Sequence, residues 1–280
     1  MEHENAALNK ALRPCKLAPM RVVSLTCSNT EICCALGCAG YLVGVDAHSD
    51  YPTDVVTRLP RVGPDLGIDV RRVAELRPDL VLASLTVPGH ERIVGQLAAE
   101  KLPYFAPEPV SLEDVYDDIT QIASRLGVPA RGAQLVAEMR LAMPAQPRTP
   151  AAPALLVEWW PKPVIVPGRQ SWVHDLIELA GGANPFGDRA LKSTPIHDHE
   201  AVAAEPDSVI MSWCGVRVEK YRPEIVYRRS GWQGMRALAA RRVFAIPEAY
   251  LGRPGPRLIQ GYQALREIVQ SSERFSASSI

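Results

Sequence analysis

Residues able to hold a flat or charged ligand follow several short apolar runs in the second half of the chain. Indole and phenol rings can lie against a ring system, and guanidinium groups can pair with carboxylates or phosphates. Two adjacent tryptophans after a buried strand cannot both enter one core, so at least one of Trp159 and Trp160 should face a ligand. The alternative is that the tryptophans fill a core and the arginines are solvated. The ligand-binding candidates of this half are Glu158, Trp159, Trp160, Trp172, Trp213, Tyr250, Arg253 and Arg257.

The first half of the chain places hydroxyl, amide and imidazole groups at similar points. Ser28 or Asn29 can cap a helix whose free N–H groups attract carboxylates or phosphates, although capping alone would also explain them. His48 and Tyr51 share a loop after an apolar run. A neutral His48 imidazole could coordinate a metal or could simply be a polar loop residue. His90 opens a helix and is the weaker histidine candidate.

Thiol and imidazole groups also allow a sharper hypothesis, a direct metal site. Cys27 and Cys214 follow apolar runs in the two halves, and together with His48 they would offer ligands that suit zinc, copper, cobalt or iron. Their spacing is dispersed and matches no metal-binding motif. The cysteines at 33, 34 and 38 have no C-x-x-C spacing, and we expect them to pack as small hydrophobic residues.

Catalytic motifs and a charge imbalance are both missing from the sequence. There is no G-x-S-x-G nucleophile elbow, phosphate-binding loop, G-x-G-x-x-G or H-E-x-x-H segment, so we predict that the protein is not an enzyme. The 280 residues carry 31 basic and 31 acidic side chains, which gives no reason to expect nucleic acid as a partner. No obligatory cofactor is predicted.

The N-terminal residues and the longest uncharged stretch indicate the cellular location to expect for the chain. Residues 1–19 contain early acidic residues and no apolar run of roughly 7–15 residues, so they do not match a secretory signal. The uncharged stretch 32–45 is too short to span a bilayer. From the sequence as written we expect a cytoplasmic chain without membrane insertion.

Short apolar runs alternate with segments of helical periodicity along the whole chain. Such alternation is typical of parallel sheets covered by helices on both faces. The predicted strands are 22–25, 42–45, 80–83, 104–106, 154–157, 209–212 and 243–246. Helical periodicity marks 70–76, 93–99 and 173–180, and the proline-rich stretches 144–167 and 247–256 are interpreted as linkers or rigid loops.

An internal repeat divides the chain into two similarly built halves. Residues 73–84 (VAELRPDLVLAS) are echoed by 202–212 (VAAEPDSVIMS), and residues 97–108 are echoed in the same order by 238–248. Each echo is a short helix followed by a buried strand. We therefore predict an N-terminal extension at 1–19, an α/β lobe at 20–110, connecting helices and a linker at 111–150, and a second α/β lobe at 151–280.

A family resemblance is carried by segments 23–31, 42–46, 49–52, 60–63 and 77–83, and is continued by 166–168, 176–182 and 206–210. Over residues 20–270 the chain resembles the substrate-binding proteins of ABC importers for cobalamin and ferric siderophores, the helical-backbone metal-receptor class. The resemblance implies two parallel-sheet α/β lobes joined by a long connecting helix, with a ligand cleft between the lobes. It also implies a non-catalytic solute-binding protein whose cargo is a cobalamin or other corrinoid, a ferric chelate, or a transition metal in a related complex.

The remaining predictions come from positions at which this sequence differs from the family pattern. Members dock on a permease through one glutamate in each lobe, and the matching positions are Glu200 and Arg71. An arginine at the first position would repel the permease arginine that a glutamate attracts. Cobalamin receptors carry aromatic residues at the positions that match His48, Asp65, Ser84 and Thr194. Of the last three, Asp65 joins the predicted ligand-binding residues. An extracytoplasmic receptor is expected if the family role is kept. The alternative is a cytosolic corrinoid or metal chaperone, or a cofactor-handling enzyme, with the same fold.

Overall fold

The computed structural model describes residues 20–147 and 151–277, so the predicted extension at 1–19 lies outside the described residues. The chain forms two compact units. The first takes the described residues up to Glu108 together with Tyr116–Glu138, and the second takes Pro109–Val115 together with the described residues from Met139 on. Both units combine a parallel sheet with helices, which confirms the predicted α/β class. The predicted ligand cleft between lobes stays a prediction.

The first unit is built on a four-stranded parallel sheet in the order β2-β1-β3-β4. Its strands, all at predicted positions, are β1 (Val22–Ser24), β2 (Leu42–Val45), β3 (Leu80–Leu82) and β4 (Tyr104–Phe105). Its helices are α1 (Cys27–Ala35), α2 (Thr53–Val56), α3 (Val70–Glu75) and α4 (His90–Ala99). Every residue of β1 and β3 is buried, which is why their sequences are almost wholly apolar.

Two helices of 14 residues each follow the first sheet, α5 (Leu112–Arg125) and α6 (Pro129–Ala142). Gly127 has φ +73° and ends α5, because its N–H donates to the Ser124 carbonyl and the Val128 N–H donates to the Ala123 carbonyl. Pro129 then opens α6, where its missing N–H costs nothing. The segment at 111–150, predicted to contain connecting helices, therefore contains a pair of helices, whereas the resemblance implied one long helix.

The second unit contains a parallel and an antiparallel sheet. The parallel sheet, in the order β10-β9-β5, consists of β5 (Leu155–Glu158), β9 (Ser208–Met211) and β10 (Val243–Ala245), all at predicted positions. The antiparallel sheet, in the order β6-β7-β8, consists of β6 (Trp160–Pro161), β7 (Val164–Pro167) and β8 (Ser193–Ile196). The helices are α7 (Trp172–Leu179), α8 (Asp198–Ala203), α9 (Pro223–Tyr227), α10 (Arg236–Ala239), α11 (Glu248–Leu251) and α12 (Leu258–Ala277).

The antiparallel sheet is the part of the second unit that the sequence did not predict. Two of its strands lie in the proline-rich stretch that we interpreted as a linker or rigid loop. Proline is tolerated on edge strands, where its missing N–H deprives no partner. Pro161 lies in the edge strand β6 and Pro195 in the edge strand β8, so both fit this sheet. Val164 and Val166 of β7 enter the core of the unit, which stabilises the hairpin.

The predicted repeat is confirmed by equivalent contacts in the two units. A carboxylate oxygen of Asp79 accepts the Arg21 N–H at 2.8 Å, and a carboxylate oxygen of Asp207 accepts the Ala154 N–H at 2.8 Å. Arg21 and Ala154 directly precede β1 and β5, and their carbonyls accept the N–H groups of the two aspartates. The repeated Pro-Asp step therefore closes the same clamp on the first strand of each unit.

The repeated segments also share their helix endings. Arg77 and Glu205, which precede the repeated prolines, have φ +46° and +40°, and Lys101 and Arg241 have φ +55° and +53°. Within the described ranges, these four are the non-glycine residues with positive φ. The left-handed conformation costs an L-residue roughly 1–2 kcal/mol. Because these turns are kept without glycine, the packing of the following strands must stabilise them.

Separate hydrophobic cores fill the two units. The first core includes Val23, Val62, Val73, Val81, Ile93 and Leu97, and the second includes Leu156, Val209, Met211, Trp213, Trp232 and Met235. Cys33 and Cys38 are buried in the first unit, as predicted for cysteines that pack as small hydrophobic residues. Among the helices in the described part of the chain, none combines the length and apolar composition needed to cross a bilayer.

Candidate ligand-binding site

The carboxyl ends of β5, β9 and β10 lie at one edge of the second unit's parallel sheet, the position where α/β sheets commonly bind ligands. We call the segments that follow these strands, residues 159–160, 212–215 and 246–257, the aromatic edge. It contains the predicted ligand-binding residues of the second half except Glu158, which ends β5, and Trp172, which begins α7.

Glu158 is fully buried, and its carboxylate is used inside the unit. Arg229 donates to its two oxygens at 2.6 and 2.7 Å, and Trp213 Nε1 donates to Oε1 at 2.8 Å. The Arg229 guanidinium also lies 4.3 Å from the centroid of the Trp232 ring, and Trp232 Nε1 donates to Asp198 Oδ1 at 2.8 Å. A chain of contacts therefore runs from the end of β5 to the first residue of α8.

Three predicted ligand-binding residues thus have structural roles, and we correct the expectation for them. Glu158 has no exposed surface, and Trp172 and Trp213 are only 6% and 5% exposed. The indole N–H of Trp172 donates to the Leu251 carbonyl at 2.7 Å. Their polar atoms are therefore paired inside the unit. Arg229 was not predicted, because it lies 71 residues from its partner and no local pattern links the two.

Trp159 and Trp160 remain candidates and differ in exposure, as adjacent residues after a buried strand should. Trp160 is 41% exposed, and its indole N–H donates to the Lys162 carbonyl at 3.0 Å. Trp159 is half-buried, with its ring centroid 6.2 Å from that of Trp172. The buried indole N–H of Trp159 has no hydrogen-bond partner among the described residues. The face of the Trp160 ring is the most accessible aromatic surface of this pair.

Tyr250, Arg253 and Arg257 lie on the last segment of the aromatic edge. The Arg257 guanidinium is 5.8 Å from the centroid of the Tyr250 ring, and Arg253 Nε pairs with a Glu248 oxygen at 3.2 Å. Both arginines are half-buried. They are held against neighbouring side chains, so they are not the freely solvated arginines of the alternative interpretation. Their ligand-binding role stays a prediction.

The corresponding edge of the first unit carries hydroxyl and amide groups. Thr26, and not Ser28 or Asn29, is the N-cap of α1, and its Oγ1 accepts the Asn29 N–H at 3.4 Å. The Ser28 hydroxyl lies 3.2 Å from Thr26 Oγ1. The buried Asn29 side chain donates to the Ala83 carbonyl at 2.7 Å. This corrects the capping prediction, because Asn29 ties α1 to the end of β3.

Asp65 and His90, which were predicted separately, are brought together in the first unit. His90 Nε2 lies 2.7 Å from Asp65 Oδ1. The two residues line a small hollow, open to solvent, together with Thr26 and Ser84. Thr26 was not predicted as a binding residue, although it directly follows a predicted strand, and that position could have identified it. Ser84 matches an aromatic position of the cobalamin receptors.

A polar network supports the loop that carries His48 and Tyr51. The Ser49 hydroxyl donates to Asp46 Oδ1 at 2.5 Å, and the His48 N–H donates to Asp46 Oδ2 at 2.8 Å. Burial raises the pKa of Asp46, and these two hydrogen bonds oppose the rise. His48 is exposed and Tyr51 is 43% exposed, so both side chains are accessible and stay predicted binding residues.

The three predicted metal ligands are divided between the units. Cys27 and His48 belong to the first unit, and Cys214 belongs to the second. Across residues 20–147 and 151–277, no group of three or more His, Cys, Asp or Glu side chains is arranged to hold a metal ion. The metal site stays a prediction.

The two predicted docking positions differ in their surroundings. Glu200 closes a capping box at the start of α8, since its Oε2 accepts the His197 N–H at 2.7 Å. Its Oε1 accepts a hydrogen bond from Arg189 at 2.6 Å. The backbone bond from His197 and then the bond from Arg189 lower the pKa of Glu200, so this carboxylate stays ionised. Arg71 is exposed in the first turn of α3. A docking role for either residue stays a prediction.

Comparison with known proteins defines the class to which this chain belongs. A family model described as periplasmic binding protein matches residues 22–250. Since that match covers most of the chain, the protein belongs to the periplasmic binding protein family, and the predicted resemblance is confirmed. One matched relative is described as an ABC transporter substrate-binding lipoprotein. The chain is therefore a solute-binding protein and not an enzyme.

Two relatives and one solved structure show how similar this chain is to individual proteins. The chain is 27% identical over 263 residues to YvrC of Bacillus subtilis (strain 168), an uncharacterized ABC transporter substrate-binding lipoprotein, covering 91% of this chain and 81% of the relative. It is 25% identical over 260 residues to the vitamin B12-binding protein of Yersinia pestis (strain Pestoides F), covering 89% and 85%. Among solved structures, the apo form of the periplasmic heme-binding protein RhuT from Roseiflexus sp. RS-1 has a TM-score of 0.75 and 28% identity, covering 91% of this chain and 99% of that one.

Proposed function

We propose that this chain is an extracytoplasmic receptor that binds a metal-bearing macrocycle, a corrinoid or a heme, and passes it to an ABC permease. The relatives named for their ligands bind vitamin B12 and heme. Both ligands are flat rings that hold one metal ion and carry polar groups at the rim. A ferric chelate of another kind is the less favoured cargo of the same class.

The exposed ring of Trp160 is the observation that carries this proposal. Its indole N–H is already bonded to the Lys162 carbonyl, so the flat face is the part of the side chain left for a partner. It lies at the carboxyl end of the parallel sheet, beside the half-buried Trp159. An aromatic face kept in water forgoes the free energy of burial, about 25 cal/mol per Å², and a flat macrocycle would recover it.

Equilibrium titration with hemin and with cyanocobalamin, followed by absorbance and by tryptophan fluorescence, tests the proposal. Saturable binding of at least one ligand with one-to-one stoichiometry is expected. Trp160→Ala should weaken that binding about twofold to tenfold, because an aromatic stacking pair contributes roughly 0.5–1.5 kcal/mol. Leu191→Ala is the matched control, since Leu191 is 52% exposed and lies outside the aromatic edge. Absence of saturable binding for both ligands would contradict the proposed function.

The permease partner is proposed from the ABC importer relatives, and Glu200 is the docking residue in this proposal. Because Arg189 shares the Glu200 carboxylate, a permease arginine would have to compete with it. Binding of the chain to permease-containing vesicles from its native host should weaken in Glu200→Gln and strengthen in Arg71→Glu. Glu75→Gln, an exposed change in the last turn of α3, serves as the charge control. Unchanged vesicle binding in both docking variants would exclude these positions. Recovery of the native protein only in the cytosol would favour a cytosolic carrier.

A further inference from the structure

His90 lines the hollow in the first unit and has one buried ring nitrogen without a partner among the described residues. The hollow lies at the carboxyl ends of β1 and β3, where Thr26, Asp65, Ser84 and His90 contribute its polar lining. His90 is 4% exposed as a residue. Its Nε2 is bonded to Asp65, whereas its Nδ1 is buried and has no hydrogen-bond partner among the described residues.

The hydroxyl groups of the hollow do not satisfy this nitrogen because they are engaged with their own neighbours. Thr26 Oγ1 accepts the Asn29 N–H and lies 3.2 Å from the Ser28 hydroxyl. Ser84 Oγ accepts the Thr86 N–H at 3.1 Å and lies 2.8 Å from the Thr86 hydroxyl. Leaving a buried polar atom unpaired costs free energy. A ligand group that donates a hydrogen bond to Nδ1 would remove that cost.

The bond to Asp65 determines what kind of group His90 can receive. A carboxylate can only accept a hydrogen bond, so the proton of a neutral imidazole lies on Nε2. The other nitrogen, Nδ1, then carries a lone pair and is an acceptor. Asp65 contributes further acceptor oxygens, and its side chain is 37% exposed. His90 and Asp65 therefore contribute acceptor groups to the lining of the hollow.

The charges around the hollow favour the same kind of group. The start of α1, capped by Thr26, contributes a partial positive charge of about half an elementary charge. The Asp65 carboxylate contributes a full negative charge beside the hollow. The negative charge is therefore the larger of the two, and a ligand carboxylate placed here would be repelled.

We propose that Asp65 and His90 form a subsite for a hydrogen-bond donor on the rim of the bound chelate, such as a primary amide or an ammonium group. The inference rests on the proposed function and deepens it, because it predicts which rim chemistry this protein prefers. Corrinoids carry primary amides around the ring, whereas heme carries two carboxylates. The subsite therefore selects an amide-bearing macrocycle over a carboxylate-bearing one.

Titration of four proteins with dicyanocobinamide and with hemin tests this subsite. The variants are His90→Phe, which removes the acceptor, Asp65→Asn, which removes the charge, and the control His199→Ala, an exposed histidine of the second unit. The parent should bind cobinamide more tightly than hemin. His90→Phe should weaken cobinamide binding roughly tenfold to hundredfold and leave hemin binding within about twofold. Asp65→Asn should weaken cobinamide binding and tighten hemin binding.

Nitrogen-15 NMR of the histidine rings provides a readout that altered folding would not imitate. The free protein should show His90 protonated at Nε2 and unprotonated at Nδ1, and the Nδ1 resonance should shift when cobinamide is added. A His90 ring protonated at Nδ1, or cobinamide affinities unchanged in both variants, would overturn the subsite while leaving the receptor function standing. Failure of the parent protein to bind either chelate would overturn the receptor function and the subsite together.

Discussion

The first strands of the two units begin in the same way and end differently. Asp79 clamps the residue before β1, and Asp207 clamps the residue before β5, at matching distances. Where β1 and β3 end, hydrogen bonds between neutral groups connect α1 to the sheet. The Thr30 hydroxyl donates to Ser24 at 2.9 Å, and the Asn29 amide donates to the Ala83 carbonyl. At the equivalent end of β5, the second unit buries an ionised pair.

The neighbour of the first strand in the sheet also differs between the two units. In the first unit β2 pairs with β1 in parallel. The second unit lacks that strand among its described residues, and the N–H after β5, on Trp159, donates instead to the Ile165 carbonyl of the hairpin strand β7 at 2.8 Å. The hairpin carries Trp160. We call the strand ends of the first unit, with the hydroxyl and amide groups of Ser24, Asn29 and Thr30, the polar edge. The same α/β arrangement can therefore carry a polar edge in one unit and an aromatic edge in the other.

This comparison also indicates which edge is more sensitive to mutation. A neutral hydrogen bond contributes about 1 kcal/mol net, because water competes for its partners. Breaking one side of a buried ion pair costs about 3–5 kcal/mol, because the remaining charge stays buried without compensation. The aromatic edge should therefore depend on a single pair, Glu158 and Arg229, whereas the polar edge should tolerate single losses.

The largest effect is expected from Glu158→Gln. Arg229, only 12% exposed as a side chain, would lose its charge partner, and the free energy of unfolding should fall by about 3–5 kcal/mol in urea denaturation. The double variant Glu158→Gln, Arg229→Met should recover part of this loss, since it removes both charges. A loss below about 1 kcal/mol in the single variant would show that the pair does not brace the second unit.

A smaller loss is expected from Asn29→Ala in the first unit. The change leaves the Ala83 carbonyl without its buried donor, and the free energy of unfolding should fall by about 1–3 kcal/mol. Gln134→Ala is the control, because Gln134 bonds to Glu138 on the exposed face of α6 and should change stability by less than about 0.5 kcal/mol. A cost equal to that of Glu158→Gln would remove the contrast between the edges.

The shared clamp should respond similarly in both units. Asp79→Ala and Asp207→Ala each remove one carboxylate bond to a backbone N–H, so each should cost about 1 kcal/mol in thermal or urea unfolding. The second change should cost slightly more, because Asp207 also pairs with Arg236 at 3.0 Å. If only one of the two variants is destabilised, the clamps are equivalent in geometry but not in energy.

The smallest effects concern pH, and they have opposite signs in the two units. Burial raises the pKa of Asp46 above its usual 3.8. The stability of the parent relative to Asp46→Asn should therefore increase as pH falls toward 3.8. Hydrogen bonds lower the pKa of Glu200 below its usual 4.5. The parent should be more stable than Glu200→Gln above pH 4.5, and this difference should be lost as the pH falls below 4.5. Urea titrations at stepped pH measure both slopes, and slopes of equal sign would contradict the assignment.

The sequence alone determined the frame of the molecule. Buried parallel strands need continuous apolar runs, so all seven predicted strands could be located from composition. The repeated Pro-Asp step predicted two similar units, because a proline that follows a helical segment cannot continue its hydrogen bonds. The hairpin of β6 and β7 was missed, because prolines on edge strands leave the same pattern as prolines in a loop.

Only the tertiary structure decided which chemical groups stay available for a ligand. Glu158, Trp172 and Trp213 looked like binding residues because they follow or adjoin strand ends, and folding pairs their polar atoms with residues far along the chain. Asp65 and His90, 25 residues apart, became neighbours for the same reason. Local periodicity reports which face of an element is buried. The partners of a polar side chain depend on contacts between distant segments, which periodicity does not encode.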